Sequence, residues 1–192
     1  MIKKEIRILG FDDGAFAPRD DANVPLIGVI FRGGEFLDGA LKTEVKIDGN
    51  DATEKIINIV NSSRHKQQLK VIMFDGVTVG GFNVIDIKEV NEKTGIPVIV
   101  INRKLPDINK VRNALKNFDD FERRWNSILN AGKIKECRIK NKKVYYQLIG
   151  LDDKDAKEII RLSSTRSFIP EPLRIAHIIA TAIAKGESSG RA

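Results

Sequence analysis

Three carboxylates close apolar runs in this chain, each with a glycine within two positions: Asp12 in RILGFDDGAF, Asp48 in TEVKIDGND and Asp75 in VIMFDG. An acid at the end of a buried strand is either a turn residue, since Asp-Gly is a common turn pair, or a ligand. In open α/β sheets functional groups collect just beyond the carboxyl ends of strands. If the strands of Asp12 and Asp75 are neighbours, their carboxylates converge. Like charges brought together in a partly buried place repel unless a proton or a cation sits between them. Mg²⁺ and Mn²⁺ favour such oxygen ligands. Asp13 is the alternative to Asp12, because adjacent side chains on a strand face opposite ways. Asp51 reads as the cap of the helix after it, with Glu54 completing a capping box. Asp86 reads as a solvated position inside a helix, within reach of the site as a supporting group.

The elements that must position these acids follow from periodicity. EIRILGF (5–11), VPLIGVIFRGG (24–34) and the alternating DGALKTEVKID (38–48) read as a three-strand meander, with residues 17–23 as loop. DATEKIINIVNSSR (51–64) switches to helical spacing. LKVIMFDG (69–76) and IPVIVINRK (96–104) are continuous apolar strands, as in a sheet covered on both faces. NVIDIKEVNEKTG (83–95) reads as a helix closed by Gly95. Residues 108–132 read as one long helix, or two with a bend near Asn117. Residues 134–150 read as a polar hairpin turning at Asn141, and two helices follow, 152–164 and 171–186. In the last, Ile175, Ile178, Ile179 and Ala182 form the apolar stripe expected to face the sheet, with Arg174 and His177 bordering it. The expectation is one α/β domain over residues 1–192 with a mixed sheet and flanking helices, frayed over 186–192.

The chain has 192 residues and a net charge of +7, which suits a protein that approaches an acidic partner such as nucleic acid. One cysteine, Cys137, excludes an internal disulfide and points to a reducing, cytoplasmic setting. No apolar run reaches the roughly 20 residues of a membrane helix, so no membrane partner is expected.

The stretch FIPEPLRIAH, 168–177, resembles the signature helix of the endonuclease V superfamily. ILGFDDGAF resembles that superfamily's first strand, VIMFDGVTVGGF its central strand, and GIPVIVINRK the strand after it, with a basic residue at its end. KIDGNDATEKI, DGVTVGGFNVID and PEPLRIAH are similar to its mainly archaeal endonuclease dU branch. The resemblance implies a ribonuclease H-like fold. It also implies Mg²⁺- or Mn²⁺-dependent cleavage of a phosphodiester beside a modified base in DNA or RNA, deoxyuridine or inosine among the possibilities. Asp12 and Asp75 match the first- and central-strand ligands. The intervening acid is a Glu-Gly in the superfamily; Asp48-Gly49 fits by position, with Asp51 and Asp13 as rivals. His177 falls where many relatives carry an Asp that touches metal; as a neutral imidazole it could bind Mn²⁺ or orient a water. The aromatic-proline-glycine wedge of endonuclease V has no counterpart here, so inosine specificity is not carried over.

The chemistry so implied is two-metal hydrolysis, with cations roughly 4 Å apart clamping the attacking water and the leaving oxygen. Arg103, Lys104 and Arg174 are candidates to hold the phosphate, unless Arg174 is paired to a nearby acid. Lys66, Lys70, Lys133, Lys135, Arg138, Lys140, Lys142 and Lys143 supply a basic surface with Tyr145 and Tyr146, either stacking on bases or packed beneath a solvated hairpin. A haloacid dehalogenase-type phosphatase is disfavoured, because Gly14 stands where that class needs a second Asp. The remaining alternative is a non-catalytic nucleic-acid-binding protein that kept the fold.

Overall fold

The computed structural model describes residues 2–16 and 22–188; positions 17–21 of the expected loop and 189–192 of the expected tail lie outside the described residues. The chain runs β1 (Arg7–Asp13), β2 (Asn23–Arg32), β3 (Phe36–Lys46), α1 (Ala52–Ser62), a 3₁₀ turn (Lys66–Gln68), β4 (Leu69–Asp75), β5 (Thr78–Val79), β6 (Asn83–Val84), α2 (Ile87–Thr94) and β7 (Val98–Asn102). It ends with α3 (Ile108–Leu115), α4 (Phe121–Asn130), β8 (Lys135–Ile139), β9 (Lys142–Ile149), α5 (Asp153–Ser163) and α6 (Glu171–Lys185).

Seven strands form one mixed sheet in the order β3-β2-β1-β4-β7-β9-β8, and β5 pairs with β6 apart from it. The meander β1-β2-β3 is antiparallel; β1, β4 and β7 run parallel through the centre. These central strands read as unbroken apolar runs because both faces are covered. Leu9, Phe11, Phe74 and Val100 pack under α1 and α2, whereas Ile8, Met73 and Ile101 pack under α5 and the start of α6.

Several expected elements differ. The helix predicted from residue 83 starts at Ile87, because Asn83–Val84 pair with Thr78–Val79. Asp86 is therefore not inside the helix but its N-cap, accepting from the Lys88 and Glu89 amides. Asp51 occupies the α1 cap position without capping it: its carboxylate accepts from Lys46 N and Asn83 Nδ2 and pairs with Lys55. The segment 108–132 is two helices. The polar hairpin is the far edge of the main sheet, with Cys137, Val144 and Tyr146 buried on its inner side. Lys66 and Lys70 stand at the amino end of β4, about 16 Å along the strand from Asp75.

The α6 stripe also differs. Leu173, Ala176 and Ala180 face the sheet, while Ile175 and Ile179 are only partly buried on its flank. Small residues win because α6 seats itself on glycines. A Cβ on Gly10 would lie 2.7 Å from Pro172, and one on Gly14 would lie 3.0 Å from the Ala180 carbonyl. Close approach of backbone to helix, rather than bulk, fixes this packing.

Candidate active site

Parallel pairing sets Phe11 beside Phe74, their rings stacked 5.7 Å apart on the α1 side. The next residue on each strand, Asp12 and Asp75, then points to the opposite face, toward α6. Asp12 is 6 % exposed. Its Oδ1 accepts from the Asp13 amide at 2.9 Å, and its Oδ2 lies 2.9 Å from His177 Nδ1. Asp75 Oδ2 accepts from Arg103 Nη2 at 3.0 Å. Burial and the nearby Asp12 charge raise the Asp75 carboxyl above its ordinary value, with Arg103 and His177 pulling it back. The hydrogen bond to Asp12 raises the His177 pKa, more than burial lowers it.

The structure thus brings together Asp12, Asp75, His177 and Arg103, with exposed Lys104 next in the chain. It places Asp48 elsewhere. Asp48 adopts a left-handed φ of 52°, gives its amide to the Gly80 carbonyl and accepts from Phe82 N at 2.7 Å. Asp13 faces the same turn from the other side and accepts from Gly80 N. Burial first, and Asp12 as a lesser cause, push the Asp13 carboxyl up to about 6. Gly81 must be glycine, since a Cβ there would collide with the Asp48 carboxylate and its φ is +81°. Arg174 is held by Glu171, which is 3 % exposed, through Nε at 3.0 Å and Nη2 at 2.7 Å.

Sequence reading missed Arg124. It is buried in α4 and donates to the carbonyls of Asp48, Gly49 and Phe82 and to Asp120. It thereby ties the Asp48–Gly49 segment to the Gly80–Phe82 turn. Only its place on the inward face of a helix could have marked it. Of the two hairpin tyrosines, Tyr146 is fully buried and donates its hydroxyl to Asp153 at 2.5 Å.

Two carboxylates and an imidazole are donor types that suit a hard or borderline divalent cation. Yet among the described residues no group of three or more His, Cys, Asp and Glu side chains is arranged to hold a metal ion. Each carboxylate is engaged by a cationic side chain instead. A cation taken up here competes with Arg103 for Asp75 and with protonated His177 for Asp12.

Sheet order, parallel centre and the C-terminal helix across β1 define a ribonuclease H-like fold. Solved endonuclease V structures share it: the Bacillus subtilis protein with a TM-score of 0.60 at 12 % identity, over 94 % of this chain and 81 % of that one. The Ciona intestinalis protein, solved with DNA containing an inosine, has a TM-score of 0.57 at 14 % identity, over 88 % and 82 %. Within that class the chain belongs to the endonuclease dU family, which it matches over residues 4–184. A UPF0215 protein of Methanothermobacter thermautotrophicus is 55 % identical across 100 % of this chain and 94 % of its own length. A crystal structure of a protein of unknown function from Archaeoglobus fulgidus superposes with a TM-score of 0.84 at 38 % identity, over 92 % and 97 %. No described helix is long and apolar enough to cross a membrane.

Proposed function

We propose that the chain is an endonuclease, dependent on Mg²⁺ or Mn²⁺, that cuts a phosphodiester near a modified or deaminated base in DNA or RNA. The observation that carries this reading is the convergence of Asp12 and Asp75 at the carboxyl ends of parallel β1 and β4, with His177 and Arg103 on them. Asp12, Asp75 and His177 would hold the cation, whose role is to polarise the phosphoryl oxygen and acidify a bound water. Arg103 offers a planar fork of donors matched to phosphate oxygens, and Lys104 adds a charge beside it. Asp48 and Asp13 hold the Gly80–Phe82 turn, and Arg174 keeps Glu171 neutralised at the start of α6. The whole chain acts as one nuclease domain in the cytoplasm, the setting its single thiol favours.

The test is incubation of end-labelled strands carrying deoxyuridine, inosine or no modification with Mg²⁺ or Mn²⁺. Cleavage next to one modified base, lost in Asp75→Asn, supports the reading. Cation binding without cutting of any strand supports the second reading, a nucleic-acid-binding protein that kept the fold. That alternative is favoured by one observation: both carboxylates are already engaged by Arg103 and His177.

A further inference from the structure

The basic hairpin is a poor platform for bases, because Tyr146 lies beneath it and Lys135 and Lys143 are paired to Asp153 and Glu136. A different surface combines aromatic rings with cations. Helices α3 and α4 pack on each other so that Ile108 and Leu129 line one open groove, while Arg112 meets Trp125 further along. The Arg112 guanidinium lies 5.5 Å from the centre of the indole, and the Phe121 ring runs parallel to Trp125 at 6.4 Å. Phe121 and Trp125 are only half-buried, and Arg112 is exposed. Phe118 joins this row to the turn gripped by Asp48 and Asp13, because it packs at 5.8 Å against Phe82.

At its other end the seam opens into a groove. Ile108 and Leu129, 37 % and 57 % exposed, border a groove of about 580 Å³ with Lys133 at its rim. Ile108 follows Arg103 and Lys104 by a few positions. From Phe121 to Leu129 the helix rises about 12 Å, room for roughly two to four nucleotides. Lys104, Lys110 and Lys116 are exposed on and beside α3, Lys110 within 3.6 Å of Asp107.

On the strength of the nuclease reading, we infer that the α3–α4 seam binds the single-stranded stretch of nucleic acid beside the scissile phosphate, with bases stacked on Trp125 and Arg112 and phosphates on the flanking lysines. Half-buried rings beside exposed cations match the two halves of a nucleotide: a π-face for stacking and a charge for its phosphate. The occupant is a single strand, since bases in a duplex have no free face to offer.

Trp125 is the one tryptophan of the chain, so its emission reports on this surface directly. The full chain, without divalent cation, is titrated with a labelled short oligodeoxythymidylate and with the same strand annealed to its complement. Indole emission and label anisotropy are read together. The single strand should quench the emission by at least about one third, and Arg112→Ala should weaken binding about fivefold or more, the lower end for one lost stacking partner. Trp125→Leu should weaken it further; should that variant not fold, exposed Arg112 still carries the test. Binding with unchanged emission and an unaffected Arg112→Ala overturns the inference, as does no binding or equal quenching by the duplex. If emission is unchanged while strands are cut with Mn²⁺, the seam is wrong and the nuclease reading stands. If the seam binds as described and nothing is cut under any cation, the nuclease reading falls and the seam stands.

Discussion

Asp12 and Asp13 are neighbours of the same chemical type, and the sheet sends them to opposite fates. On the α6 side, Asp12 and Asp75 meet cationic side chains, His177 and Arg103. On the α1 and α4 side, Asp13 and Asp48 are consumed by backbone amides, Gly80 N and Phe82 N. A carboxylate satisfied by fixed backbone donors is part of the scaffold. One balanced by a mobile cationic side chain can exchange that partner for a substrate or an ion. The identity of the counter-group, not of the acid, separates chemistry from architecture here.

The sharpest way to break this contrast is to neutralise one acid on each side. Asp75→Asn and Asp12→Asn should lower cleavage by about 10³-fold or more, the scale of losing a group that stabilises developing charge, with a far-UV spectrum like the parent's. Asp13→Asn should keep activity within about tenfold, because an amide oxygen can still accept from Gly80. A reversal of these ranks, measured under single-turnover conditions, would erase the distinction between the faces.

Arg174→Ala should act on stability instead. It strands a buried carboxylate, at a cost of about 3 kcal/mol, read as a lower urea midpoint. Adding Glu171→Gln should recover most of the loss, which a phosphate-binding role would not predict.

Asp13 gives a pH signature. Its folded carboxyl titrates near 6, above its ordinary value of 3.8. The folded state therefore binds its proton more tightly than the unfolded chain does. The stability it contributes is full below about pH 4 and is lost as pH rises through about 6, a change on the order of 3 kcal/mol. Asp13→Asn should flatten the stability profile across that window.

His177→Ala should cost about 10- to 100-fold in cation affinity or rate, the scale of a supporting group. Because Asp12 holds the imidazole protonated above its ordinary 6.5, cation binding should rise with pH through a point above that value. A midpoint at or below it would mean the pair is not formed in solution. The smallest effect belongs to Lys70→Ala, at the far end of β4: strand affinity should stay within about twofold, since one distant charge is screened.

Much of this was legible in the sequence. The unbroken strands ending on Asp12 and Asp75 carried both their burial and their meeting, because parallel neighbours bring like positions level. The 171–186 helix and its His177 were legible too, although its buried face was misjudged. Three isoleucines outweighed Ala176 and Ala180 in a reading by hydrophobicity, whereas steric seating on Gly10 and Gly14 decides the contact. Asp48 was indistinguishable from Asp75 because both precede glycine; its left-handed φ and its bond to Phe82 depend on a turn more than thirty residues away. Arg124 was invisible for the same reason: its three carbonyl partners come from two distant segments.

The glycine seat under α6 also governs when the centre comes into being. Asp12 and His177 stand 165 positions apart, so their contact closes nearly the whole chain. During synthesis the meander and the central strands emerge first, with Asp12 and Asp75 bare of their helical cover. Contacts of such long separation form late, after the local ones have shortened the loop between their ends. The proposed centre is thus withheld from the nascent polypeptide, and a ribosome carrying an unfinished copy holds beside its own RNA a sheet that lacks the helix covering Asp12.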